Sequence, residues 1–221
     1  MRTDHDNLPP WRVDSSEIII DRPWLRVRQE RVTLARGTSI AEFHVIESPS
    51  WAAALALTAD GQAVIVAQYR HGARGTSVEL PAGVIDPSEE PLAAARRELL
   101  EETGYESDEW EHLLTVNTEP SRHTSQAWFF VAKNARRAGA PRQEATEDIE
   151  VRTVTFAQLV SLALDGGVRH GVHVGAILTA AARGLLPVSL PSGSPPGSGP
   201  DVLHAQPQSL APGANVSGDR R

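Results

Sequence analysis

The chain contains no cysteine, which excludes disulfide staples, thiol catalysis and cysteine-ligated zinc and is consistent with a reducing compartment. Long apolar runs are missing as well. The opening segment "MRTDHDNLPPWRVDSS" lacks the apolar centre of a secretion signal, and no later run is long enough to span a bilayer, so a cytoplasmic protein without membrane contact is expected. Positive charge is in deficit: 21 Lys and Arg face 28 Asp and Glu, a net charge of −7 at pH 7. That balance gives no electrostatic footprint for nucleic acid, so a phosphate-bearing ligand must be met by locally placed arginines or a metal. No internal repeat is found.

What remains is an ordinary globular composition, 40% apolar and 22% charged over 221 residues, enough for one catalytic-sized domain with appendages. Between Glu17 and Glu47 three strand-like runs, "EIII", "WLRVRQERVTL" and "SIAEFHVIE", predict a small antiparallel sheet. "WAAALALT" and "AVIVAQY" meet across Ala59-Asp60-Gly61 as a hairpin. A short strand follows near Ser77 to Leu80, then strands at 110–118, 126–132 and 149–155 and helices at 156–164 and 171–186. Strands interleaved with helices indicate a layered α/β or α+β domain. The organisation expected is an arm at 1–16, the small sheet at 17–48, the main domain at 49–186 and a Pro/Gly/Ser-rich tail at 187–221 that cannot bury enough surface to order itself.

The chemistry is concentrated in "GVIDPSEEPLAAARRELLEETGY", residues 83–105. Ser88 is the expected N-cap, Pro91 suits the first turn, Glu89 and Glu90 complement the helix dipole, and Gly104 supplies a left-handed stop. Leu92, Ala94, Ala95 and Leu99 form an apolar stripe, which places Glu98, Glu101 and Glu102 together on another side, as an exposed patch. Like charges at this spacing repel by a few tenths of a kcal/mol per pair on an exposed helix. Arg97 can pair with Glu101, and a hard divalent cation that also binds substrate phosphate would neutralise the rest.

This stretch resembles the signature of the Nudix hydrolases: Gly, five residues, Glu, seven residues, Arg-Glu, an apolar residue, any residue, Glu-Glu, any residue, Gly, an apolar residue. Gly83, Glu89, Arg97, Glu98, Leu99, Glu101, Glu102 and Gly104 fill every fixed place, and Tyr105 takes the last. The resemblance implies an α/β/α sandwich with a mixed sheet, here preceded by the small N-terminal antiparallel sheet. It implies Mg²⁺ or Mn²⁺ held by Glu98, Glu101, Glu102 and the backbone carbonyl of Ala82, with Arg97 orienting Glu101 and Glu89 supporting the loop. The implied reaction is hydrolysis of a nucleoside diphosphate linked to a second moiety.

"QYRHG" followed by "VELPAG", together with Pro120 and the strands ahead of the core, resembles the ADP-ribose pyrophosphatase branch. That branch implies an ADP-ribose-like nucleoside diphosphate sugar as substrate and a homodimer with sites shared between subunits. Arg70 is then expected to bind a phosphate or the terminal ribose, the alternative being a surface ion pair. Trp24 and Trp51 are candidates to stack on a base, with packing in the core or at a dimer interface as the alternative. The water-activating base is expected at Glu147, with Glu144 second. The loop "PSRHTSQAW" departs from the branch's glycine-rich acidic pattern, so Arg122 and His123 become possible phosphate contacts and other sugars, GDP-mannose among them, stay open. A sensing module that keeps the fold without catalysis also stays open. His170 and His173 lack a third ligand at zinc spacing and are expected to be core or surface histidines, and "RHGARG" carries no Gly-Lys-Ser of a phosphate loop.

Overall fold

Both faces of "WAAALALT" must be covered, because its residues alternate between large apolar side chains and alanines with hardly a polar residue among them. The computed structural model describes residues 8–143 and 148–186, and in it this strand (β4, Trp51–Thr58) is central. Leu55 and Leu57 face one core with Ile65, Phe129, Leu159 and Ile177, whereas Ala52, Ala54 and Ala56 face the other with Ala94, Ala95 and Leu99. Helices α2 (Phe156–Leu164) and α3 (Gly171–Ala182) cover the first face and α1 (Pro91–Thr103) the second, an α/β/α sandwich.

An antiparallel sheet precedes it: β1 (Arg12–Arg22), β2 (Leu25–Thr33) and β3 (Ser39–Glu47), in that order. β1 starts earlier than the alternation suggests. The main mixed sheet runs β11 (Ile149–Thr155), β5 (Gln62–Arg70), β4, β10 (Gln126–Arg137), β8 (Tyr105–Glu106), with β9 (Glu109–Asn117) on β10. β10 lies parallel to β4.

The feature that builds the site is a split in this sheet. β4 and β5 pair only at Ala56↔Val64 and Leu57↔Ala63, then diverge. β6 (Gly75–Glu79) pairs with β5, and β7 (Ala82–Val84), which the sequence reading leaves out, pairs with β4. The two short strands line opposite lips of a wedge-shaped opening.

The start of α1 differs from expectation. The N-cap is Glu90, extended at φ −75° and ψ 141°, while Ser88 sits at φ 73° in the preceding turn. Pro91 decides this: its ring disfavours a helical conformation at the residue before it, so the helix starts at Pro91 and leaves Ser88, Glu89 and Glu90 outside. Gly104 closes the helix at φ 72°, donating its N–H to the Leu100 carbonyl at 2.8 Å. At the C-terminal end α3 stops at Ala182 rather than reaching 186, with Gly184 at φ 72°. No helix among the described residues is long and apolar enough to cross a membrane.

Candidate active site

Helical geometry turns residues 98 and 102 to nearly the same side, and that side is buried. Glu98 is 8% exposed and Glu102 4%, so both share the packed face with Ala95 and Leu99 instead of standing opposite it. Glu102 Oε2 accepts the Ala82 N–H at 3.0 Å. A Cβ built at Gly83 would overlap the Glu98 carboxylate, so the glycine is what lets that side chain lie against β7. Glu101 lies toward solvent, its side chain 47% exposed. The three acids therefore do not form one exposed patch: two are buried and one stands at the rim. Among the described residues no three Asp, Glu, His or Cys side chains are gathered tightly enough to hold a metal by themselves. The groups assembled at β7 are nonetheless all hard oxygen donors, two buried carboxylates and the Ala82 carbonyl, which fits Mg²⁺ or Mn²⁺ and suits no soft metal.

Arg97 organises this edge. Its guanidinium donates to both Glu89 oxygens at 3.0 and 3.1 Å, to Glu98 Oε1 at 2.6 Å, to Glu101 Oε2 at 3.2 Å and to the Val84 carbonyl at 2.9 Å. The expected Glu101 pairing is present, but as the longest of these bonds. Glu89 supports the loop by accepting from Asp86 N–H at 3.1 Å, and the Arg97 hydrogen bonds hold its carboxyl below the usual range.

The wedge itself is a cleft of 490 Å³. Period-two geometry turns Gly75, Ser77 and Glu79 of β6 toward one face, and all three line it with Arg70, Trp51 and the backbone of Ala82 and Gly83. Arg70 donates to Glu79 through Nε at 3.0 Å and Nη2 at 2.7 Å, a bidentate pair. Arg70 is thus ion-paired, as one of its two alternatives has it, and it also lines the cleft. Burial pushes the Glu79 carboxyl up, but the hydrogen bonds and charge of Arg70, with the Ser77 hydroxyl, outweigh it and hold the pKa at about 2.

Trp51 is half-buried in the wall of the cleft, stacked on His173 at 5.3 Å and edge-on to Phe129 and His170 at 5.5 Å each. His173 is a core histidine, 1% exposed, whose Nδ1 accepts the Leu80 N–H at 3.0 Å. The bond commits Nδ1 and places the ring proton on Nε2. The Nδ1 atom of His170 is buried with no hydrogen-bond partner among the described residues.

Burial, then the neighbouring His170, depress the His173 pKa from 6.5 to about 3. The unfolded chain takes up that proton more readily than the fold, so stability present above pH 6.5 is lost as the pH falls toward 3. Between pH 7 and 5 the expected loss is about 2 kcal/mol at about 1.4 kcal/mol per pKa unit. Urea unfolding at both pH values checks this, and His173→Gln should flatten the difference.

The remaining expectations divide. Trp24 is 91% exposed in the tight turn that joins Arg22 of β1 to Leu25 of β2, and it does not line the cleft. Pro120 is exposed in a loop whose backbone is engaged with β3 (Ile46 N–H to the Arg122 carbonyl, 2.8 Å, and Thr124 N–H to the Ile46 carbonyl, 3.1 Å), so it does not line the cleft either. In the same loop Arg122 lies over the Phe43 ring at 5.6 Å and His123 stands 3.7 Å from Glu119, and neither lines the cleft. Glu144 and Glu147 lie outside the described residues. Glu79, Ser77 and Arg169 line the cleft without being expected there from the sequence. Alternation along β6 could have found the first two, while Arg169 arrives from the α2–α3 connection without a local signal.

A NUDIX domain model matches residues 49–174, and a model for the nucleoside diphosphate sugar hydrolase N-terminal domain matches residues 11–46. The methanol dehydrogenase activator of Bacillus methanolicus is 30% identical over 146 residues, 66% of this chain and 75% of that protein. The ADP-ribose pyrophosphatase of Bacillus subtilis strain 168 is 31% identical over 134 residues, 60% of this chain and 72% of that protein. A solved structure described as ADP compounds hydrolase shares the fold at a TM-score of 0.70 and 19% identity, covering 80% of this chain and 96% of its own. The domain match takes in more than half of the chain, including the split sheet, β7 and the whole acidic helix, and on that ground the chain belongs to the Nudix hydrolase family.

Proposed function

We propose that the protein hydrolyses the pyrophosphate bond of ADP-ribose or a related nucleoside diphosphate sugar in the presence of Mg²⁺ or Mn²⁺, giving a nucleoside monophosphate and a sugar phosphate. The observation that carries this reading is the pair of buried glutamates seated against β7, whose Ala82 and Gly83 line a cleft that also presents arginine. A divalent ion at Glu98, Glu101, Glu102 and the Ala82 carbonyl would supply charge stabilisation at the phosphoryl oxygens and a more acidic bound water.

The chain's own groups do the positioning. Arg97 fixes Glu98 and Glu101, and Arg70, held by Glu79, keeps further N–H groups for a phosphate. Glu147, or else Glu144, is the base in this reading. The flanks of that loop support it: Arg142 N–H reaches the Glu101 carbonyl at 2.7 Å, and the Gln143 amide reaches the Glu102 carbonyl at 3.2 Å and that of Ile149 at 2.9 Å. The resemblance to the Bacillus subtilis pyrophosphatase supports the substrate class.

A homodimer belongs to the same proposal. Every residue of the edge strand β1 is exposed, Val13, Ile18, Ile19 and Ile20 among them, and a row of apolar side chains on an open edge is what a second copy would cover.

The test is a phosphate-coupled assay over a panel of nucleoside diphosphate sugars with Mg²⁺ or Mn²⁺; no turnover of any of them would remove the proposal. Gly83→Ala is expected to leave the chain folded and lower the rate by about 10²-fold, because its methyl group displaces the Glu98 carboxylate by a small distance at the reacting centre. Circular dichroism alongside the assay separates that result from misfolding.

A further inference from the structure

The charges lining the cleft do not balance evenly. Arg70 is offset by its bidentate partner Glu79, and burial holds His170 and His173 toward their neutral forms. That leaves Arg169 as the lining side chain with a full positive charge and no hydrogen bond or ion pair among the described residues. Its place is not arbitrary. Val168 before it is buried with its N–H on the Leu162 carbonyl at 2.8 Å, and His170 after it caps α3. Between these anchors the guanidinium lies over Gly75, where an added Cβ would stand 2.8 Å from Nη1. Gly75 opens β6 and lines the cleft with Ala82 and Gly83 of β7, against which the two buried glutamates of α1 pack.

Resting on the function proposed above, we infer that Arg169 is a second phosphate-binding residue, which holds the substrate diphosphate from the β6 side of the cleft. A planar, permanently charged fork suits a phosphoryl oxygen, and a glycine beneath it lets the fork lie flat against the strand. The contact forms as soon as substrate enters and persists through the reaction, so it contributes uniform binding.

The experiment is steady-state kinetics with ADP-ribose on the full chain, together with metal-free calorimetry using inorganic pyrophosphate as probe. Arg169→Ala is expected to raise KM by about 10- to 100-fold, the range of a charge-assisted hydrogen bond, with kcat within about threefold of wild type. Pyrophosphate affinity should fall in parallel, and Arg169→Lys should restore part of both. Gly75→Ala moves the guanidinium without deleting it, so it should raise KM in the wild-type background and add little in Arg169→Ala. Additive effects of the two substitutions would show that the methyl merely obstructs the cleft, and would overturn the inference. Unchanged pyrophosphate affinity with weakened ADP-ribose binding would overturn it too, moving Arg169 to the sugar. If wild type turns over no nucleotide sugar, the function proposed above fails, and the pyrophosphate comparison still decides the role of Arg169.

Discussion

Glu102→Gln is expected to lower ADP-ribose hydrolysis by about 10³-fold while the protein stays folded. The amide keeps an oxygen that can accept the Ala82 N–H, which Glu102 holds at 3.0 Å, so the link between α1 and β7 survives. What disappears is a buried negative charge beside Glu98. If that charge serves to hold a divalent ion at the phosphates, its loss removes several kcal/mol of transition-state stabilisation, and about 1.4 kcal/mol corresponds to tenfold in rate. Thermal melting gives an independent reading. Wild type should gain stability as Mg²⁺ or Mn²⁺ is titrated in, by mass action, and the variant should gain clearly less. A variant within tenfold of wild type, with an equal metal-induced shift, would remove Glu102 from the ligand set.

Arg97→Ala is expected to destabilise the fold by about 2–3 kcal/mol and also to impair hydrolysis. One guanidinium here serves Glu89, Glu98, Glu101 and the Val84 carbonyl, so its removal withdraws the cation that three acids share and a tie between helix and strand. Its side chain is 30% exposed, and solvent screening keeps the loss below that of a fully buried pair. Arg97→Lys should recover less than half of the stability, since an ammonium cannot reproduce the fork on Glu89. Urea denaturation at pH 7 measures both. An unchanged midpoint for the alanine variant would show that the arginine network contributes nothing net.

The periodic segments were legible because their signals are local: "WAAALALT" and "AVIVAQY" flank a turn at Ala59-Asp60-Gly61, and the acidic helix announced its residues by spacing. Its start was misplaced because a serine suggests a cap, whereas the proline three residues later dictates one. The burial of Glu98 and Glu102 was illegible for a different reason. A carboxylate reads as solvent-facing until tertiary packing brings a glycine strand over it, and β7 is too short to announce itself. Glu79 and Arg169 lie far apart in the chain and meet one cleft only because the sheet divides, an event recorded in backbone pairing and not in any local pattern.

The alanines on the helix-facing side of β4 act as a spacer gauge for the reaction chamber. Ala52, Ala54 and Ala56 present only methyl groups to α1, so the helix rests at the closest approach a side-chain-bearing strand permits. Branched side chains at those positions would lift the helix as a rigid rod, carrying both inner glutamates with it. The depth at which the two inner glutamates sit is therefore fixed by three of the chain's smallest residues.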